Sequence, residues 1–200
     1  MFSSAKSYWT QITHMPGRRY EHMSAIVGNF LYVFGGAGDE TDKIYRYNLG
    51  SGEWSILPGT MPVTLSQAGI TVADNDIIIA GGMTSTGRAS REVHVFNVQS
   101  LDWRRLPSIP LGLIAPALGV LSDGVHVVGG YSNEPLKTHS RHYLLASKAR
   151  KWQDIEPLPE ARHHAGYAVV DDQLIVMGGA VGSGFFAPFT ATDTVYIFKP

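Results

Sequence analysis

The sequence contains no cysteine and little charge: of 200 residues, 16% are Asp, Glu, Lys or Arg, and the net charge is -1. Without cysteine there is no disulfide framework, no thiolate nucleophile and no Cys-based zinc or iron–sulfur site. The compartment stays open on that ground, since secreted proteins also dispense with cysteine. The charged fraction lies below the roughly 25% of an average soluble domain. A nearly neutral chain is not a generic nucleic-acid binder. Long apolar runs are missing too. The opening Met1–Trp9 is not apolar enough for a signal peptide. Later runs are broken by Gly and polar residues, so no membrane segment is expected. The reading is therefore a cytoplasmic protein with no nucleic-acid or membrane partner, or a periplasmic or secreted one if the N-terminus is truncated.

What is abundant is glycine, with 22 residues, and proline, with 11. Hydrophobic residues make up 44% and mean hydropathy is -0.02. This composition argues against disorder and against a helical bundle, and for short strands joined by many turns. The length suits one domain or two small ones.

An internal repeat organises the chain. Gly35-Gly36, Gly81-Gly82, Gly129-Gly130 and Gly178-Gly179 are spaced by 46, 48 and 49 residues. Trp9, Trp54, Trp103 and Trp152 each precede a pair by 26 or 27 residues, and Pro16, Pro62, Pro110 and Pro159 each precede it by 19. Before each pair runs a short apolar stretch, as in Leu31–Phe34 and Ile77–Ala80, which reads as a strand buried on both faces. Upstream lies another strand, joined through Gly28-Asn29, Asp74-Asn75, Asp123-Gly124 or Asp171-Asp172, residue types that favour hairpin turns. A third strand follows each pair, and the Trp marks a fourth. Each unit is thus a four-stranded meander.

Period, Gly-Gly, the aromatic–Asn pairs Tyr47-Asn48 and Phe96-Asn97, and the Trp seven residues beyond each aromatic resemble the kelch repeat. The resemblance covers residues 8 to 200 and implies an all-β fold, a kelch β-propeller of four sequential four-stranded blades. The repeat units are approximately 13–57, 58–106, 107–155 and 156–198 within one domain, 1–200. The third departs from the pattern: Leu145-Ala146-Ser147 replaces the aromatic–Asn turn, and Pro116 enters the first-strand region. The last unit lacks a fourth strand. Residues 8–12 can supply it and close the ring; the alternatives are missing blades or two chains sharing a ring, with self-association if the ring is incomplete.

Long loops at 37–42, 83–91, 131–141 and 180–193 fall on one face, together with six of eight histidines (His14, His22, His139, His142, His163 and His164). Loops on a rigid scaffold are where function concentrates. The ligand-binding candidates are Arg19, His22, Arg91, Arg141, Arg162, His163 and Phe186. Arg19 and Arg162 stand 16 residues before their Gly-Gly pairs, so ring closure would pair them as an anion clamp, guanidinium groups being suited to carboxylate or phosphate. The bland alternative packs each along its blade on a backbone carbonyl. His163-His164 make a weak metal site, because neighbours on a strand point oppositely. The three Phe of 180–189 are expected to be covered or to form a hot spot. No catalytic set, metal signature or cofactor is readable. The function expected is a non-catalytic binding or scaffold module for a protein, anionic or carbohydrate ligand. The alternative, implied by the family resemblance, is an isomerase similar to sialic acid mutarotases or epimerases, with Arg19, Arg162, Glu21 and His163 as candidates. The copper radical chemistry of the related galactose oxidase needs a cysteine, so it is excluded.

Overall fold

The structure, a computed structural model, describes residues 9–200 except the side chains of Phe185, Phe186 and Pro188. The repeat forms the sheets its spacing predicts. Blade 1 is Met23–Val27, Phe30–Phe34, Tyr45–Asn48 and Trp54–Ile56; blade 2 is Gly69–Ala73, Asp76–Ala80, Val93–Asn97 and Trp103–Leu106. Blade 3 is Ala117–Leu121, Gly124–Val128, His142–Ala146 and Gln153–Asp154; blade 4 is Gly166–Val170, Gln173–Met177 and Val195–Phe198. Every neighbouring pair within a blade is antiparallel. Pro116, which has no amide hydrogen to give a ladder, falls just before its strand rather than in it. In blades 1 and 2 the side chains of Asn48 and Asn97 accept the amides of Gly50 and Ser51, and of Gln99 and Ser100, and so close the next turn. Ala146 cannot, and its turn closes on a backbone bond from Ala149 instead.

The core lies in seams between blades rather than inside any one. Phe34, Tyr32 and Ile44 of blade 1 pack with Leu65, Ile77 and Phe96 of blade 2. Ile78, Val93 and Val95 meet Leu118, Val127 and Tyr143 across the next seam, and Val128 and Leu121 meet Leu174 and Val176 across the third. Trp103 meets Phe34 edge-to-face and Phe96 at a tilt, and the Trp152 indole N–H donates to Pro107 O, so these tryptophans bridge blades.

Closure by the N-terminal segment is one of the alternatives the sequence leaves open. Residues 9–12 form no strand, and Trp9 is 103% exposed; Tyr8 lies outside the described residues. Among the described residues blade 4 has three strands, and residues 9–12 do not pair with it. No described helix is long and apolar enough to cross a membrane.

Candidate functional site

Each blade begins with a residue in the left-handed region: Glu21 (φ 55°), Gln67 (52°), Ala115 (50°) and His164 (52°). All stand 14 residues before the first Gly of their pair. None is glycine, so each costs on the order of 1 kcal/mol of backbone strain. Backbone bonds join them around the axis: Gln67 N–H donates to Glu21 O at 3.0 Å, Ala115 N–H to Gln67 O at 2.8 Å, and His164 N–H to Ala115 O at 3.2 Å. The same step, repeated blade by blade, delivers four different side chains to one mouth.

That mouth is a cleft of about 350 Å³ lined by Glu21, His22, Gln67, Pro116, His164 and Tyr167. Tyr167 forms its floor by reaching from blade 4 to blade 2, where its hydroxyl accepts from Ile70 N–H at 2.8 Å and donates to Ile70 O at 3.0 Å. Burial raises the Tyr167 pKa, partly offset by the bond from Ile70. His164 Nε2 lies 2.8 Å from the Gln67 side-chain oxygen, and its ring stacks on Tyr131. Burial first, and then the neighbouring His163, lower the His164 pKa, against a pull upward from Glu21. His164 thus stays neutral at neutral pH. A second cleft, of about 420 Å³ between blades 1 and 2, is lined by the hydroxyls of Thr41, Thr64, Ser66, Thr84 and Ser85, and again by Glu21. Neither cleft is lined by Lys or Arg.

The residues singled out from the sequence scatter. His22 is exposed at the axial mouth. Arg162 is 1% exposed: its guanidinium donates to Gly178 O, Thr194 O and Thr194 Oγ1, pairs with Glu160 and lies 4.5 Å from the Tyr196 ring centroid. Arg19 is its counterpart, donating to Gly35 O, Asp39 O and Glu40 O with its guanidinium 3.8 Å over Tyr45. The two equivalent arginines each fold back along a blade, and no clamp forms between them. Arg91 donates to Ile109 O, and Arg141 pairs with Asp154. His163 is buried; its Nε2–H donates to Gly182 O, and its Nδ1 lies 2.5 Å from that of His164. Among the described residues no group of three or more potential ligands could hold a metal. Phe186 lies outside the described side chains; the segment forms a short 3₁₀ helix, Gly184–Phe189, with Phe189 exposed rather than covered. His142, expected on the loop face, is buried within blade 3. Sequence reasoning missed Gln67 and Ala115, because the quartet shares a register and no residue type; only counting back 14 from each Gly-Gly finds it.

Comparison with known proteins places this geometry. A family profile described as the KLHDC2/KLHL20/DRC7 Kelch-repeats domain matches residues 1–179. Kelch-like protein terF of Aspergillus terreus is 30% identical over 80% of this chain and 39% of its own length. Kelch repeat-containing protein At3g27220 of Arabidopsis thaliana is 27% identical over 96% of this chain and 46% of its own. The chain thus spans less than half of either relative. A solved structure described as that of YjhT superposes with a TM-score of 0.82 at 15% identity, covering 96% of this chain and 69% of the other. That likeness shows the fold.

Proposed function

Because this chain belongs to the kelch-repeat family, we propose that it is a non-catalytic binding module that holds a protein partner on its long-loop face, at the axial mouth. The observation that carries this is the quartet of left-handed residues: one backbone geometry is kept in every blade while the side chains differ, as Glu21, Gln67, Ala115 and His164. Strained backbone held in place by its surroundings marks sites of use more often than sites of filling. Names such as "Kelch-like protein 38" among the relatives support the family placement, but not a partner.

The mouth favours a hydrogen-bond donor. Glu21 belongs to both clefts, the flanking groups of the second are hydroxyls, and no basic side chain lines either. An anionic ligand lacks its clamp, since Arg19 and Arg162 turn their guanidinium groups onto carbonyls and side chains of their own blades, and the remaining Arg162 Nε–H is buried. The isomerase alternative lacks the same thing, an unengaged Arg beside a base. The partner expected is a loop or peptide that presents an Arg, a Lys or an unpaired N–H to Glu21.

A random peptide library selected on the wild-type chain tests this reading. Selected peptides should be enriched in Arg or Lys, and Glu21→Gln should weaken them at least tenfold with no change in melting temperature. Acidic peptides, or affinities indifferent to Glu21→Gln and His164→Ala, contradict it. Accelerated exchange of sialic acid anomers in proton NMR would contradict the non-catalytic part.

A further inference from the structure

The seams between blades share one backbone joint. Gly36 N–H donates to Leu65 O at 2.9 Å, Gly82 N–H to Leu113 O at 2.8 Å and Gly130 N–H to Arg162 O at 2.8 Å. The first glycine of each pair leaves room for that carbonyl. A Cβ on Gly35, Gly81 or Gly129 would lie 2.1, 2.4 or 2.6 Å from it. Blade 4 keeps the same device, with Gly178 at φ 61° and Gly179 at φ 90°. Among the described residues no next-blade carbonyl meets it: a Cβ on Gly178 would approach only Thr192 O, at 3.5 Å.

The side chains repeat the message. Met177 stands where Phe34, Ala80 and Val128 stand in the other blades, and Val195 where Ile44, Val93 and His142 stand. Those six are buried, while Met177 is 42% and Val195 57% exposed. At the other end, the Trp152 indole donates to Pro107 O of the preceding seam, whereas Trp54 Nε1 of blade 1 is buried among the described residues without a partner. Buried donors and glycine-shaped hollows are costly to leave empty.

We infer that the outgoing face of blade 4 and the incoming face of blade 1 are docking surfaces, and that the partner they fit is a unit of kelch-type blades that continues the same joint. Its size follows from the fold comparison. Four blades match 69% of the superposed chain, so its unmatched third has the length of about two blades. A second copy of this chain brings four blades to a gap of about two, so it is not the occupant. The unit would present a backbone carbonyl to Gly179 N–H, apolar side chains to Met177 and Val195, and a fourth strand to the free edge of Val195–Phe198.

Two measurements test the inference. Sedimentation velocity on the chain alone should show a monomer, and hydrogen exchange should show the Gly179 amide at least tenfold less protected than Gly36, Gly82 and Gly130. The chain is then extended after Lys199 by a copy of its own residues 49–155, which supplies a fourth strand and two further four-stranded blades. Gly179 should gain protection of at least tenfold and the melting temperature should rise by several degrees. Gly178→Leu should remove the gain in Gly179 protection from the extended chain, while in the unextended chain it should lower the melting temperature by the left-handed backbone penalty alone and leave Gly179 protection unchanged. A Gly179 amide left unprotected by the extension overturns the inference. So does an unextended chain that sediments as an oligomer with Gly179 already protected, because the second copy would then be the occupant.

Discussion

His142 shows how one side chain sets a response to acid. Its Nδ1–H donates to Glu156 O at 3.1 Å, which leaves Nε2 to accept from His126 Nδ1 at 2.9 Å; His126 Nε2 in turn lies 2.8 Å from Asp123. Burial first, and then His126, push the His142 pKa down to about 4, although Glu156, Asp123 and Asp154 pull it up. The unfolded chain, with an ordinary imidazole, takes up the proton first as pH falls. Stability present above about pH 6.5 is therefore lost as pH drops toward 4, by on the order of 3 kcal/mol. Urea titrations at pH 7.5 and 4.5 should show this loss, and His142→Val should flatten it, valine being the residue blade 2 uses at the same position. An unchanged acid slope would assign the effect to other groups. The arginines illustrate the same scale from the side of the sequence. Their equivalence was readable from spacing, but their direction was not: a guanidinium with a blade carbonyl within reach and a tyrosine beneath it turns inward, and neither partner lies near it in the sequence.

At the scale of the element, the Gly-Gly turn is the unit of construction. Gly81 and Gly178 have nearly the same backbone, φ 68° and 61°, in different surroundings. An alanine at Gly178 meets the left-handed penalty alone, about 1 kcal/mol. At Gly81 it must also displace Leu113 O, which would stand 2.4 Å away, and with it the Gly82 N–H bond that joins two blades. Gly81→Ala should cost about 3 kcal/mol or more, so that urea midpoints separate the two variants clearly. Equal midpoints would show that the joint contributes nothing beyond backbone strain. The strands themselves were legible because each apolar run is short and bounded by turn residues: the stretch Leu31–Phe34 became Phe30–Phe34 and Ile77–Ala80 became Asp76–Ala80. The closing strand was not, though Trp9 keeps the register. Whether the ends of a repeat array meet depends on the small rotation each blade adds, and no residue pattern states that angle.

The whole molecule behaves as a line of neighbours, because its core lies in three seams. In such an array stability is roughly a sum of unit terms and interface terms, so position in the row decides how readily a unit opens. Blades 2 and 3 have a neighbour on both sides. Blade 1 has one neighbour but four strands, whereas blade 4 has one neighbour, three strands and an exposed outer edge. Opposing its release are the third seam, the Tyr167 bonds to Ile70 across the axis, the Gly130–Arg162 joint, and the bonds of Ser122 to Asp172 and of Thr138 to Gly182 and Ser183. Blades 2 and 3 have seams of this kind on both sides, so a single seam, a three-stranded sheet and an uncovered apolar face leave blade 4 the least supported. Native-state hydrogen exchange should therefore rank the second strands, with Asp76–Ala80 and Gly124–Val128 slowest, Phe30–Phe34 intermediate and Gln173–Met177 fastest. A single common opening energy for all four would mean that the seams couple the blades into one cooperative unit, and that the vacant face at blade 4 carries no energetic consequence.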